Sequence, residues 1–141
     1  MFWVGAMLAA AVAPAEQATI FRAAGFAATG GRFLACDGRS PLEAQVGDFN
    51  GDKRPDALVI DQGLQCYGAD ETGFVLVSKG ANGRWTKLYG SPGVPRFLTS
   101  RGGGWPELEV GGPGFCFPIL RWNGRTFAEA RRQYQGKPCR R

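Results

Sequence analysis

The sequence contains no histidine among its 141 residues. This excludes metal sites built on histidine, and it leaves every serine without the imidazole base of a hydrolytic triad. Hydrolysis by paired carboxylates stays open, because Glu107 and Glu109 are two residues apart and would share one face of a strand. Nothing in the sequence distinguishes the two from ordinary surface acids. We therefore predict that the protein is not an enzyme.

The chain also lacks an apolar segment long enough to remain in a bilayer as a helix. Its most apolar run, over 2–12, is uncharged and is followed by the small-residue sequence Ala-Pro-Ala. This pattern is typical of a secretory signal peptide, although no Lys or Arg precedes the run. We predict a signal peptide over 1–15 and a single mature domain over 16–141, periplasmic or secreted. The alternative is an N-terminal segment that is buried in the fold.

No Cys-x-x-Cys pair occurs, so the cysteine spacing does not fit a zinc ribbon or a redox motif. The cysteines are even in number and widely spaced, as in the disulfide frame of an exported protein. They are Cys36, Cys66, Cys116 and Cys139. Four cysteines allow three pairings, and their spacing alone selects none of them.

Glycine and proline are abundant, at 22 and 9 residues, which favours short strands and tight turns over long helices. Two hairpins are predicted, one over 73–90 around Gly-Ala-Asn-Gly and one over 115–134 around Asn-Gly. A short helical turn is expected over 18–26. The predicted fold is mainly β: a small antiparallel β domain.

An internal repeat runs through this domain. The segment RPDALVIDQGLQC (54–66) aligns with WPELEVGGPGFC (105–116), and each copy leads to a hairpin that contains Asn-Gly-Arg. We predict repeat units over about 43–90 and 94–139, each the size of a propeller blade, with room for two to three units. The alternative is a chance similarity between turn-rich strands. A true repeat would pair Cys36 with Cys66 and Cys116 with Cys139.

The acidic stretch GDFNGDKRPDALV (47–59) predicts a calcium loop. Oxygen groups occupy positions 1, 3, 5, 7 and 9, and Ca²⁺ prefers such a set. The predicted ligands are Asp48, Asn50, Asp52, the backbone carbonyl of Arg54, and Asp56. An EF-hand does not fit, because position 12 is Val59 and position 6 is Lys53. The acids beyond the loop, Asp61 and 70–71, are expected to be solvated turn residues.

This loop between two strands resembles the calcium loop of integrin-type FG-GAP repeats and of the related bacterial VCBS repeats. The resemblance implies propeller-blade-like units and a structural Ca²⁺. The clear departure is Lys53, where the bacterial pattern has glycine. The second unit has Ser-Arg-Gly-Gly-Gly (100–104) where the acids belong, so we expect one ion. A complete propeller needs more blades than this chain can hold. The alternative to a calcium loop is a plain turn rich in Asp and Asn.

Basic and aromatic side chains alternate over 121–141, and further aromatic residues lie in the glycine-rich loop over 102–117. In an exported protein such a surface suits an acidic protein or glycan better than nucleic acid. The alternatives are a solvated strand face and an aromatic core. The candidate surface comprises Trp105, Phe115, Trp122, Arg121 and Arg125.

These features together predict a non-catalytic interaction module of the bacterial envelope. The expected partner is an envelope or extracellular protein, and an inhibitor or immunity factor would act in this way. One alternative is a carbohydrate or cell-wall binding module. The second alternative is a glycan hydrolase that depends on paired carboxylates. Neither a nucleic-acid partner nor an integral membrane protein is expected.

Overall fold

The computed structural model describes residues 12–63, 66–99 and 104–140. Most of the predicted signal peptide and most of the predicted acid-free loop over 100–104 therefore lie outside the described residues. The described chain is mainly β and forms two antiparallel sheets, each with its strands in sequence order. The prediction of a mainly β antiparallel domain is confirmed.

The first sheet has the order β1-β2-β3-β4. Its strands are β1 (Glu43–Gly47), β2 (Asp56–Asp61), β3 (Gly73–Lys79) and β4 (Trp85–Pro92). The second sheet has the order β5-β6-β7-β8-β9. Its strands are β5 (Val94–Phe97), β6 (Leu108–Gly111), β7 (Phe117–Trp122), β8 (Phe127–Tyr134) and β9 (Lys137–Pro138).

Both predicted hairpins are present, as β3–β4 and β7–β8. In the first turn Gly83 has φ 82°, a left-handed conformation that glycine adopts without a steric penalty. In the second turn the side chain of Asn123 accepts hydrogen bonds from the amides of Arg125 and Thr126, both at 2.9 Å. The turn residues thus fix where each chain reversal occurs.

Helix α1 (Pro14–Ala23) covers one face of the first sheet. Proline near its start suits the first turn, where the backbone N–H groups have no partner in the helix. Ile20 and Phe21 of the helix pack with Ala57 and Val59 of β2 in one hydrophobic core. The helical turn expected over 18–26 thus overlaps a longer helix. The cleavage point predicted after residue 15 falls in its first turn, and the signal peptide stays a prediction.

A second hydrophobic core lies between the two sheets. Because side chains alternate along a strand, β2 places Leu58 and Ile60 on the face opposite the helix. These side chains pack with Leu108, Leu120 and others of the second sheet. Strand β2 is therefore buried on both faces, and its acidic first and last residues are held inside the fold.

Two disulfides staple the domain. Cys36 is bonded to Cys66 with their Cα atoms 6.3 Å apart, and Cys116 is bonded to Cys139 with their Cα atoms 5.7 Å apart. These are the pairs that the repeat implied. The first joins the segment before β1 to the segment after β2, and the second joins the β6–β7 loop to the chain after β9. Descent of the two sheets from one repeated unit stays a prediction.

Candidate functional site

The acidic loop connects β1 to β2, and its side chains fold back onto its own backbone. The amides of Gly51 and Lys53 donate to the two carboxylate oxygens of Asp48, each at 2.8 Å. The amide of Arg54 donates to Oδ1 of Asp52 at 2.8 Å. Such bonds wind the loop tightly and direct the side chains at positions 1 and 5 toward the loop backbone.

Asn50, at position 3, continues the same pattern, because its Oδ1 accepts from the amide of Asp52 at 3.2 Å. Lys53 has φ 67°, in the left-handed region. The resemblance places glycine at this position, and the backbone conformation explains why. A lysine there keeps the turn at a cost of about 1 kcal/mol of backbone strain.

Asp56 is the buried acid of the loop. Its side chain is fully buried, and it accepts from the amide of Phe49 at 2.8 Å and from the hydroxyl of Ser78. Burial raises the pKa of Asp56 to about 6, and the negative charges of Asp52 and Asp48 add to the rise. A cation beside these carboxylates would offset both effects.

The donor set fits calcium in its chemistry, since every predicted ligand presents oxygen. Each carboxylate oxygen has two lone-pair sites, so an oxygen that accepts one backbone N–H can still bind an ion. Two observations argue against calcium binding in this loop. Within the described residues no three His, Cys, Asp or Glu side chains gather closely enough to hold a metal. The guanidinium of Arg54 also lies 3.2 Å from Oδ2 of Asp52, where it competes with an ion. Calcium binding stays a prediction.

The expectation that Asp61 is a solvated turn acid is wrong. Its side chain is buried and accepts from the amide of Cys36 at 3.1 Å, the amide of Gly63 at 2.9 Å and the hydroxyl of Tyr67 at 2.8 Å. The reason is topological: the Cys36–Cys66 disulfide brings a distant segment over the end of β2. Burial, followed by the hydrogen bond to Asp61, raises the pKa of Tyr67 to about 12, so this phenol remains a donor.

Glu107 and Glu109 also differ from ordinary surface acids. Glu107 accepts from Arg131 at 2.9 Å and from Arg121 at 2.7 Å, and these bonds, led by Arg131, lower its pKa to about 2. Glu109 is buried and pairs with Arg96 at 2.9 Å. A general acid must hold its proton near neutral pH, which requires a raised pKa. The geometry gives no support to a hydrolytic pair.

The five residues of the candidate surface do not form one patch. Trp105 and Trp122 are partly buried against the core between the sheets, and each contacts Phe127. Phe115 precedes β7 and Arg125 follows it, so they lie at opposite ends of that strand. Arg121 is engaged by Glu107, although its side chain stays largely exposed.

Sequence reasoning missed a cleft of about 580 Å³ beside Phe115. Its lining includes Asp70, Pro92, Phe117, Arg132 and Arg140. The run of glycine and proline over 111–118 was a sequence signal for an open loop. The residues before β6 that line the cleft could not be predicted from sequence, because their position depends on how the two sheets pack.

Comparison with known proteins gave no match: no family model, no curated protein and no solved structure is significantly similar to this chain. Over the described ranges, the structure has no helix of the length and apolar character needed to cross a membrane.

Proposed function

We propose that this protein is an exported β domain that binds one Ca²⁺ in the loop over 48–56 and acts as a non-catalytic interaction module of the bacterial envelope. Its partner is a protein of the envelope or the extracellular space, which it binds in the manner of an inhibitor or immunity factor. Calcium has a structural role in this proposal: it joins the ends of β1 and β2, where carboxylates otherwise repel one another.

The single observation that carries the calcium proposal is the buried carboxyl of Asp56, on which the negative charges of Asp52 and Asp48 also act. A buried acid with a raised pKa destabilises the folded state near neutral pH, and a bound cation removes that penalty. The spacing of the loop ligands and its resemblance to FG-GAP and VCBS loops add support. Lys53 and Arg54 place positive charge next to the loop, so we expect weak affinity, which the millimolar calcium outside cells suits.

The two disulfides support export, because such bonds persist in oxidising compartments. The non-catalytic role is supported by the low pKa of Glu107 and by the arginine partners of Glu107 and Glu109. A carbohydrate module based on Trp105 and Trp122 is not supported, since both side chains pack on the core between the sheets.

The calcium proposal is tested by thermal unfolding in 10 mM CaCl₂ and in chelator. For a site with a dissociation constant of about 0.1 mM, mass action stabilises the fold by about 2.7 kcal/mol, which raises Tm by about 10 °C. The double variant Asp48→Asn/Asp52→Asn should lose this shift, and the exposed-acid control Glu71→Gln should keep it. An identical Tm of the wild type in both buffers would mean that the loop is a plain turn with no calcium site.

The partner proposal is tested separately. Immobilised, oxidised protein is incubated with periplasmic and secreted extracts in calcium buffer, and bound material is quantified by mass spectrometry. Recovery of one protein in stoichiometric amounts is the expected result. Extracts that yield no stoichiometric partner, while soluble cell-wall glycan changes the tryptophan fluorescence, would favour the carbohydrate alternative.

A further inference from the structure

The cleft beside Phe115 is built from both halves of the chain. Asp70 and Pro92 belong to the part that forms the first sheet, while Phe117, Arg132 and Arg140 belong to the part that forms the second. Its volume of about 580 Å³ lies within the range of about 300–1,000 Å³ that is typical of ligand sites.

The most exposed large apolar side chain of the described residues lines this cleft. Among the described residues, Phe115 is 74% exposed and Val94 is 53% exposed, and they are the large apolar residues that stand out in this respect. Phe115 lines the cleft, and Val94 is paired in the sheet with Gly111, which also lines it. An exposed ring at a cleft, with a second exposed apolar residue on the neighbouring strand, is typical of an interaction surface.

The wall that carries Phe115 is held in place. Its ring contacts Tyr134 edge to face, with ring centroids 5.4 Å apart, and Phe117 contacts the same tyrosine at 5.6 Å. The disulfide at Cys116 anchors the residue between them, and Arg132 donates to the carbonyl of Cys116 at 3.3 Å. A surface that is already ordered loses little conformational entropy on binding.

The charge of the cleft favours an acidic partner. Two guanidinium groups, of Arg132 and Arg140, line it with a single carboxylate, that of Asp70. Arg132 is occupied by Glu129 at 3.1 Å, whereas the described residues offer Arg140 no side-chain ion pair. The whole chain carries a net charge of +5, which steers acidic partners toward it.

The wall over 111–114 favours a peptide. Three of its four residues are glycine, so their backbone N–H and C=O groups are not covered by side chains of their own. Gly112 is covered by the carboxylate of Asp70, but the space beside Gly114 is open, because a Cβ there would meet no atom within 4 Å. Uncovered backbone beside an aromatic ring suits the main chain and one apolar side chain of an extended peptide.

We infer that this cleft is the contact surface for the protein partner and that it takes an extended acidic peptide segment, with an apolar side chain against Phe115 and a carboxylate at Arg140. The inference rests on the proposed function and names the partner chemistry of that interaction module.

The test is an NMR titration of the oxidised, ¹⁵N-labelled chain in calcium buffer with the peptide acetyl-Glu-Glu-Leu-Glu-Glu-amide. Shift changes should centre on Val94, on 111–117 and on Arg140. Phe115→Ala and Arg140→Glu should each weaken binding by about tenfold. The matched control Arg125→Glu reverses an exposed charge beyond the far end of β7 and should leave the affinity unchanged. Unchanged Tm values would show that the variants remain folded.

Three results would overturn the inference. The first is equal binding of acetyl-Lys-Lys-Leu-Lys-Lys-amide, which would remove the charge argument. The second is an equal loss of affinity in Arg140→Glu and Arg125→Glu, which would reduce binding to net charge. The third is a set of shift changes at the cleft caused by an uncharged chitin oligosaccharide and not by the acidic peptide, which would make it a glycan site.

Failure of the inference can be told apart from failure of the proposed function. If the wild type and Arg140→Glu recover the same stoichiometric partner from extracts equally well, the interaction module stands and the cleft is not its contact surface. If calcium leaves Tm unchanged while the acidic peptide binds at the cleft, the metal proposal fails and the cleft inference stands.

Discussion

Replacement of Asp61 by asparagine tests whether the end of β2 is held by a buried carboxylate. Three donors converge on this side chain: the amides of Cys36 and Gly63 and the hydroxyl of Tyr67. Asparagine keeps the shape but turns one acceptor oxygen into an N–H₂ group, which at either oxygen position faces the amide of Cys36, a group that can only donate. Hydrogen bonds to a charged group contribute about 1.5–3 kcal/mol, and a buried donor left unpaired costs about 1–3 kcal/mol. We expect Asp61→Asn to lower the free energy of unfolding by about 3–4 kcal/mol.

The assay is equilibrium urea unfolding of the oxidised protein at pH 7, followed by tryptophan fluorescence. Tyr67→Phe removes one of the three donors and should lower the free energy of unfolding by about 1–2 kcal/mol. In the double variant the two losses should not add, because Asp61→Asn alone already removes the charged acceptor of the Tyr67 hydroxyl. The control is Glu71→Gln, which makes the same change of charge at an exposed acid and should change stability by less than about 0.5 kcal/mol.

A loss below about 1 kcal/mol for Asp61→Asn, or additive losses in the double variant, would refute this reasoning. Either result would mean that Asp61 is hydrated in solution and that the segment around Cys36 does not close over the end of β2.

Three further predictions follow from the contacts. Lys53→Gly should raise the free energy of unfolding by about 0.5–1 kcal/mol in chelator, because glycine adopts φ 67° without strain; a loss of stability in urea unfolding would contradict this. Glu107 has a pKa of about 2, below its ordinary value of 4.5, so the stability it provides is present above pH 4.5 and lost as pH falls toward 2. Its arginine partners are exposed, so this contribution to stability is about 1–2 kcal/mol. Glu107→Gln should abolish this contribution in unfolding curves measured between pH 4.5 and pH 2. An unchanged pH dependence in the variant would refute the pairing. Joint replacement of Cys116 and Cys139 by serine opens a loop of 23 residues and should lower stability by about 3 kcal/mol in urea, and a variant as stable as the wild type would argue against the bond.

The local part of the fold was open to prediction from sequence. Asn-Gly at 123–124 places a chain reversal by backbone conformation alone, and the apolar run over 57–60 marks a buried strand. The loop over 48–56 winds as its side chains require, because Asp48 and Asn50 find their hydrogen-bond partners within a few residues. Each of these features depends on contacts between near neighbours in the chain.

The long-range part was not open to prediction. The burial of Asp61 involves Cys36, which lies 25 residues away in the sequence and is bonded to Cys66 just beyond the end of β2. Whether Trp105 faces solvent or the core depends on how the second sheet packs on the first, and no local pattern encodes that. The cleft at Phe115 has the same origin, since its walls come from two sheets.

Each sheet has an acidic residue at the start of its second strand, β2 in the first sheet and β6 in the second. The partners of these two acids differ, and so does the source of the stability that each sheet gains from them. Asp56 opens β2 and receives hydrogen bonds from an amide and a hydroxyl, whereas Glu107 immediately precedes β6 and receives two guanidinium groups. In the second sheet the positive charge that balances the acid comes from arginine side chains of the same chain. On the calcium proposal, the first sheet takes its balancing charge from an ion in solution. On that proposal the stability of the first sheet depends on the calcium concentration of the medium, whereas the stability of the second sheet does not.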